Sequence, residues 1–185
     1  MIYQLGEKKP RIHPTAYIAP SADVIGDVKI GKYSSLWFHT LARGDVHFIR
    51  IGNYTNIQDG TMIHVTQKTA PAILGNYITV GHSAVIHGCT IHDYCLIGMG
   101  AIILDGAEIG PYTLVAAGSL VPPGFKTEGG VVIMGHPAKI KGPIGEKEKK
   151  MIQVGWQHYK ENTLFFSQNL SPLSFEEATS QNKDL

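Results

Sequence analysis

Residues 91–121 read IHDYCLIGMGAIILDGAEIGPYTLVAAGSLV, and in them Ile91, Ile97, Ile103, Ile109, Val115 and Val121 stand six apart. The same spacing extends upstream through Leu74, Val80 and Ile86, through Ile51, Ile57 and Ile63, and back to Ile12, Ile18, Val24, Ile30 and Leu36. A glycine often follows the aliphatic residue, as at Ile30-Gly31, Val80-Gly81 and Ile109-Gly110. A small residue usually stands four positions on, as at Ala16, Ser34, Thr61, Ala84, Ala101 and Ser119. No α-helix has a strict period of six, and a plain strand would not place a turn signal every six residues. Fixed-period self-similarity of this length predicts an all-β solenoid, a parallel β-helix in which each hexapeptide makes a short strand and a corner. Three hexapeptides close a triangular coil of about 18 residues. Coils stack about 4.8 Å apart, so no coil buries its apolar residues without a neighbour.

The register breaks three times. Three extra residues fall between Ala42 and Ile51, placed around Arg43-Gly44-Asp45. Five fall between Ile63 and Leu74, around Thr66 to Pro71, and one residue is missing between Ile86 and Ile91. Insertions in a solenoid become outward loops, often on the functional side. The repeat stops at Pro122-Pro123-Gly124, so the solenoid is expected over residues 10–140. From about Glu146 the period becomes helical, with Met151, Ile152, Gly155, Trp156, Tyr159 and Phe166 on one face. A helix over 144–168 is therefore expected to pack on the solenoid wall, followed by a flexible polar tail over 169–185.

Bulk properties exclude several functions. Among 185 residues, 43% are hydrophobic and 17% charged, which excludes a disordered chain. A formal net charge of +1 provides no field for nucleic acid. The lysines at 139, 141, 147, 149 and 150 read as a solvated helix start. Cys89 and Cys95 read as reduced packing residues, since a disulfide scaffold would need more cysteines. No segment has signal-peptide character or the roughly 20 apolar residues of a membrane span. The chain is expected to be cytoplasmic and to avoid membranes.

The register also assigns side chains to faces. His64 and His87 each directly follow an inward residue on the same face, in adjacent coils. They stack outward at a spacing suited to two imidazoles on one metal. Arg43 continues this column below and Leu104 above. His82 lies on a different face, in the column Asp59, His82, Met99. A single metal ion bound by all three histidines would need His82 from a neighbouring subunit, an arrangement a cyclic trimer provides. His13, His39, His47, His92, His136 and His158 show no convergent pattern and read as surface or structural.

The segments Arg43-Gly44-Asp45, Asn56-Ile57-Gln58-Asp59-Gly60, His64 and Gly81-His82-Ser83-Ala84-Val85-Ile86-His87-Gly88-Cys89, with Ile97-Gly98-Met99-Gly100-Ala101, resemble the gamma-class carbonic anhydrase family over residues 10–140. The resemblance implies a left-handed β-helix with a C-terminal helix, a homotrimer, and zinc at the subunit interfaces, replaceable by iron or cobalt. It implies His64 and His87 from one subunit and His82 from the next as metal ligands. It assigns Gln58 to orienting the reactive solvent with Asn56 nearby, Arg43, Asp45 and Asp59 to an interface network, and Met99 and Leu104 to apolar positions flanking the site. The implied reaction is attack of metal-activated hydroxide on carbon dioxide. The chain departs from the best-known active members in two places. The loop Thr66-Gln67-Lys68-Thr69-Ala70-Pro71 carries no carboxylate, and Val46 stands where those enzymes have a glutamate. Tyr159 on the C-terminal helix is the remaining proton-carrying candidate, and an ordinary phenol near pKa 10 is a poor shuttle at neutral pH. A hexapeptide acyltransferase, a coenzyme A thioester hydrolase and a metal-stapled scaffold are the competing readings.

Overall fold

Hexapeptide stacking places the aliphatic residue of each repeat inside. In the computed structural model, which describes residues 1–180, Leu36, Ile57, Ile63, Leu74, Ile86, Ile91, Ile97, Ile103 and Ile109 are all fully buried. The chain forms a left-handed parallel β-helix of about seven turns. Its first face stacks strands Met62–His64, Val85–His87, Ile102–Ile103 and Leu120–Val121. The second stacks Ala72–Leu74, Thr90–Ile91, Glu108–Ile109 and Lys126–Thr127. The third runs from Tyr17–Ile18 through Ser35–Leu36, Asn56–Ile57, Thr79–Val80, Leu96–Ile97 and Leu114–Val115 to the terminal hairpin. The long strand Leu41–Ile51 bends across a corner and joins the first two faces.

The insertion expected at Arg43-Gly44-Asp45 lies slightly later. Arg43 and Gly44 keep register with Ile25 and Gly26, and pairing resumes at Val28 with Ile49, so Asp45 to Phe48 bulge against Asp27 alone. Arg50 fastens the bulge, bonding the Asp27 carboxylate at 2.8 and 3.1 Å. As expected from bounds of 10–140, the stack continues after the repeat stops at Pro122. Lys126–Thr127 and Val131–Gly135 add pairs in the next coil, and an antiparallel strand, Ala138–Pro143, caps the stack. At the other end Ile2–Tyr3 pairs with Val24 and Ile25, so pairing begins before residue 10.

The corner between the second and third faces has its own chemistry. Tyr33, Tyr54, Tyr77, Tyr94 and Tyr112 occupy it in successive coils, all at φ between 52° and 57°. Neighbouring rings stack 4.7–5.3 Å apart, which offsets the cost of left-handed backbone in non-glycine residues. Side chains of Asn53, Asn76 and Asp93 each accept the backbone N–H of the residue one coil below, at 2.8 Å. A side chain at Gly52 would stand 2.4 Å from the Gly75 carbonyl oxygen, so the corner requires glycine there.

Helix α1 (Glu146–Asn169) begins with the backbone N–H of Gly145 donating to Glu148. It lies along the third face, with Ile152 and Thr163 buried beneath it. Trp156 meets Tyr54 and Tyr77 edge-on, while Tyr159 and Phe166 pack against Trp37. Met151 is 45% exposed, unlike the rest of the expected apolar face. Within the span 169–185, α1 takes in Asn169 and a short helix α2 (Phe175–Ser180) forms, and residues 181–185 lie outside the described residues. No described helix is long and apolar enough to cross a membrane.

Candidate metal centre

Pairing of Val85–His87 with Met62–His64 sets His87 directly above His64 on the first face. Their rings meet edge to face, and His64 Nδ1 lies 3.1 Å from His87 Nε2. The outer nitrogens are both held by carboxylates. Asp45 Oδ1 lies 3.1 Å from His64 Nε2, and Asp105 Oδ1 lies 2.5 Å from His87 Nδ1. A carboxylate can only accept, so each outer nitrogen carries the hydrogen. The inner nitrogens, with no hydrogen of their own, are then both acceptors, close enough to converge on one cation set off the line between them. Two nitrogens bound at 2.0–2.1 Å to one tetrahedral ion stand about 3.3 Å apart. The pair therefore fits two positions of a zinc-type coordination sphere.

His82 has the same arrangement on the third face, where Asp59 Oδ2 is 2.8 Å from its Nδ1. All three candidate ligands thus carry the carboxylate–histidine pairing that fixes tautomer and raises basicity in metal sites. Each carboxylate has a further donor. Arg43 and the Val46 N–H bond Asp45, the Phe38 N–H bonds Asp59 at 3.2 Å, and the Thr66 hydroxyl bonds Asp105 at 2.5 Å. Burial pushes the Asp45 and Asp105 carboxyls up, but the histidine and other hydrogen bonds outweigh it, and both end below the ordinary value.

Among the described residues, no three His, Cys, Asp or Glu side chains of one chain converge as a metal site. His82 leaves the third face, and the corner at Ser83 and Ala84 separates it from the first. One chain brings together His64 and His87, with Arg43 aligned one coil below and Leu104 one coil above. Buried Cys89, two residues past His87, is held at about 12 by burial and by the Asp105 charge, which keeps it a thiol.

Gln58, His82 and Met99 line an apolar cavity of 440 Å³ on the third face, walled also by Leu96, Leu114 and Met151. The orientation of Gln58 follows from its neighbours. Asn56 Nδ2 donates to the Ile78 carbonyl at 3.2 Å and to Thr79 Oγ1 at 2.9 Å, so Asn56 Oδ1 must accept from Gln58 Nε2. Gln58 Oε1 is left without a donor among the described residues. Tyr159 packs edge-on against Trp37 at 5.2 Å. Its phenol is raised by burial and by the Asp59 charge, which makes it a poorer proton carrier.

Asp105 and Thr66 were not singled out from the sequence. Asp105 follows Leu104, the residue above His87, so the stacking rule carried one position further would have found it.

Residues 88–123 match the bacterial transferase hexapeptide (six repeats) family. The chain is 40% identical to a carbonic anhydrase of Geobacillus kaustophilus, over 90% of this chain and 91% of that one. It belongs to the gamma-class carbonic anhydrase-like family. It is also 43% identical to mitochondrial gamma carbonic anhydrase 2 of Arabidopsis thaliana, over 88% of this chain. It spans 63% and 58% of the length of that protein and of mitochondrial gamma carbonic anhydrase 1. Among solved structures, a Bacillus cereus protein named provisionally as an acetyltransferase superposes with a TM-score of 0.89 at 40% identity, covering 91% of this chain and 98% of that one. Names of both chemistries thus attach to proteins similar to this chain.

Proposed function

We propose that this gamma-class protein hydrates carbon dioxide at a metal site shared between two chains of a homotrimer, with His64 and His87 from one and His82 from the next. The observation that carries the reading is the pair of facing nitrogens 3.1 Å apart, with both outer nitrogens held by carboxylates. A zinc-class ion there, or iron or cobalt in its place, would supply a nucleophile at neutral pH by lowering the pKa of water to about 7, as in carbonic anhydrases generally. The chain's residues do the rest. Asp45, Asp59 and Asp105 fix the three imidazoles as neutral ligands. Gln58 Oε1 accepts the hydrogen of the attacking water and aims its lone pair. The apolar wall of Met99, Leu96 and Leu114 admits carbon dioxide and excludes bulk water. The turn at residues 66–70 offers no carboxylate to carry the proton out, so buffer has to take it.

The test is elemental analysis of protein purified without chelator, combined with a hydration assay. About one metal per chain is expected. The maximal rate should rise several-fold with imidazole-type buffer at fixed pH, while the rate at low carbon dioxide barely changes. Metal-free protein with intact histidines, or no hydration with metal fully loaded, contradicts the reading. The likeness to the Bacillus cereus protein named provisionally as an acetyltransferase supports acyl transfer or thioester hydrolysis as a second reading. Turnover of acetyl-coenzyme A by loaded protein inactive toward carbon dioxide would select it.

A further inference from the structure

His87 is held through a chain of contacts that begins in the short turn. Residues 66–70 close on themselves, with Thr66 N–H donating to the Ala70 carbonyl at 3.0 Å and Ala70 N–H returning the bond at 3.3 Å. The Thr66 side chain is half-buried. Its hydroxyl donates to Asp105 Oδ2 at 2.5 Å, across 39 positions of sequence, and Asp105 Oδ1 holds His87 Nδ1. Gly88 makes this packing possible. At φ 55° it carries no side chain, and a Cβ there would stand 2.5 Å from Asp105 Oδ1 and 2.7 Å from the Ala70 Cβ. The carboxylate and the turn both close over the residue next to His87. Thr66 belongs to the coil of His64, Gly88 to the coil of His87, and Asp105 to the coil above. The contacts therefore bridge the three coils around the facing nitrogens.

We propose that the turn at residues 66–70 is a clasp for the metal site, with Thr66 and Asp105 acting as positioning residues that fix the tautomer and tilt of His87. This rests on the metal reading above. It gives the insertion a role that needs no acidic residue: holding a ligand instead of exporting a proton. Removing the charge of Asp105 leaves His87 free to place its hydrogen on the nitrogen facing His64, where it blocks coordination. Removing the Thr66 hydroxyl lets the carboxylate swing away while its charge remains.

The experiment is zinc competition against a chromophoric chelator with parent, Asp105→Asn, Thr66→Val and Thr66→Ser proteins, with the visible spectrum of each after cobalt(II) reconstitution. Asp105→Asn should weaken zinc binding about 10–100-fold, as loss of an outer partner of a ligand histidine does. Thr66→Val should shift affinity the same way by a smaller factor, both should alter the cobalt bands, and Thr66→Ser should keep parental affinity and spectrum. If the parent holds zinc and Asp105→Asn holds it equally well, or Thr66→Ser fails as Thr66→Val does, the clasp is wrong and the metal reading survives. A parent that takes up no zinc overturns both.

Discussion

At the scale of single residues, the site depends on which nitrogen of each imidazole carries a hydrogen. Asp45, Asp59 and Asp105 decide this. The six-residue period assigns a side chain to a face and a coil, so His64 over Arg43 and His82 over Asp59 could be read directly, whereas Asp45 entered only through the family resemblance, as part of an interface network. Asp105 reaches His87 from the next coil through a one-residue offset, and it was hidden because the column was followed only to Leu104. The cysteines test the same microenvironment from the core side. Burial pushes Cys89 and Cys95 to about 12, with the Asp105 charge adding to Cys89 and the Asp93 charge to Cys95. At pH 8 about one thiol in ten thousand is then ionised. Native protein should show no reaction with a thiol-specific disulfide reagent on the time scale of mixing, and both thiols should react after unfolding. Prompt native labelling at pH 8 would contradict the burial described.

Among the elements, inward strands were readable because burial forces an aliphatic residue at every sixth position. The corner of five tyrosines was not, because left-handed backbone is uncommon outside glycine and only stacking across coils sustains it. The bulge was counted correctly but placed at Arg43 to Asp45, since periodicity fixes how many residues are extra and not which ones leave the ladder. Asp27 and Arg50 supply that information. The Arg50 hydrogen bond and charge hold the Asp27 carboxyl below its ordinary value. A carboxyl depressed in the folded state adds stability above its unfolded pKa of about 3.9, and that stability is lost as pH falls below it. Asp27→Asn should therefore flatten the fall in urea stability between pH 5 and pH 3, with the variant closest to the parent at the acid end. An unchanged slope would remove Asp27 from the staple. The seat of α1 gives a larger effect. Trp37 is buried against Tyr17, Tyr159 and Phe166. Trp37→Ala should cost about 3–5 kcal/mol in urea unfolding and expose α1 to protease. A loss below 1 kcal/mol would mean the helix is held elsewhere.

For the whole molecule, one chain presents a paired half-site on its first face and a lone histidine on its third. That division was readable from the register alone, since His64 and His87 fall in one column and His82 in another. The proposed cyclic trimer brings each first face to a neighbour's third face and makes three sites from three chains. A mixing experiment tests this most directly. His82→Ala and His64→Ala chains are each expected to bind no metal tightly alone. Unfolded together in equal amounts and refolded, they form trimers in which an intact pair meets an intact His82 at about one interface in four. The account predicts recovery of about a quarter of the parental metal content in the refolded mixture as a whole. No recovery despite demonstrated mixing, or full metal content in either variant alone, would contradict a site shared between chains.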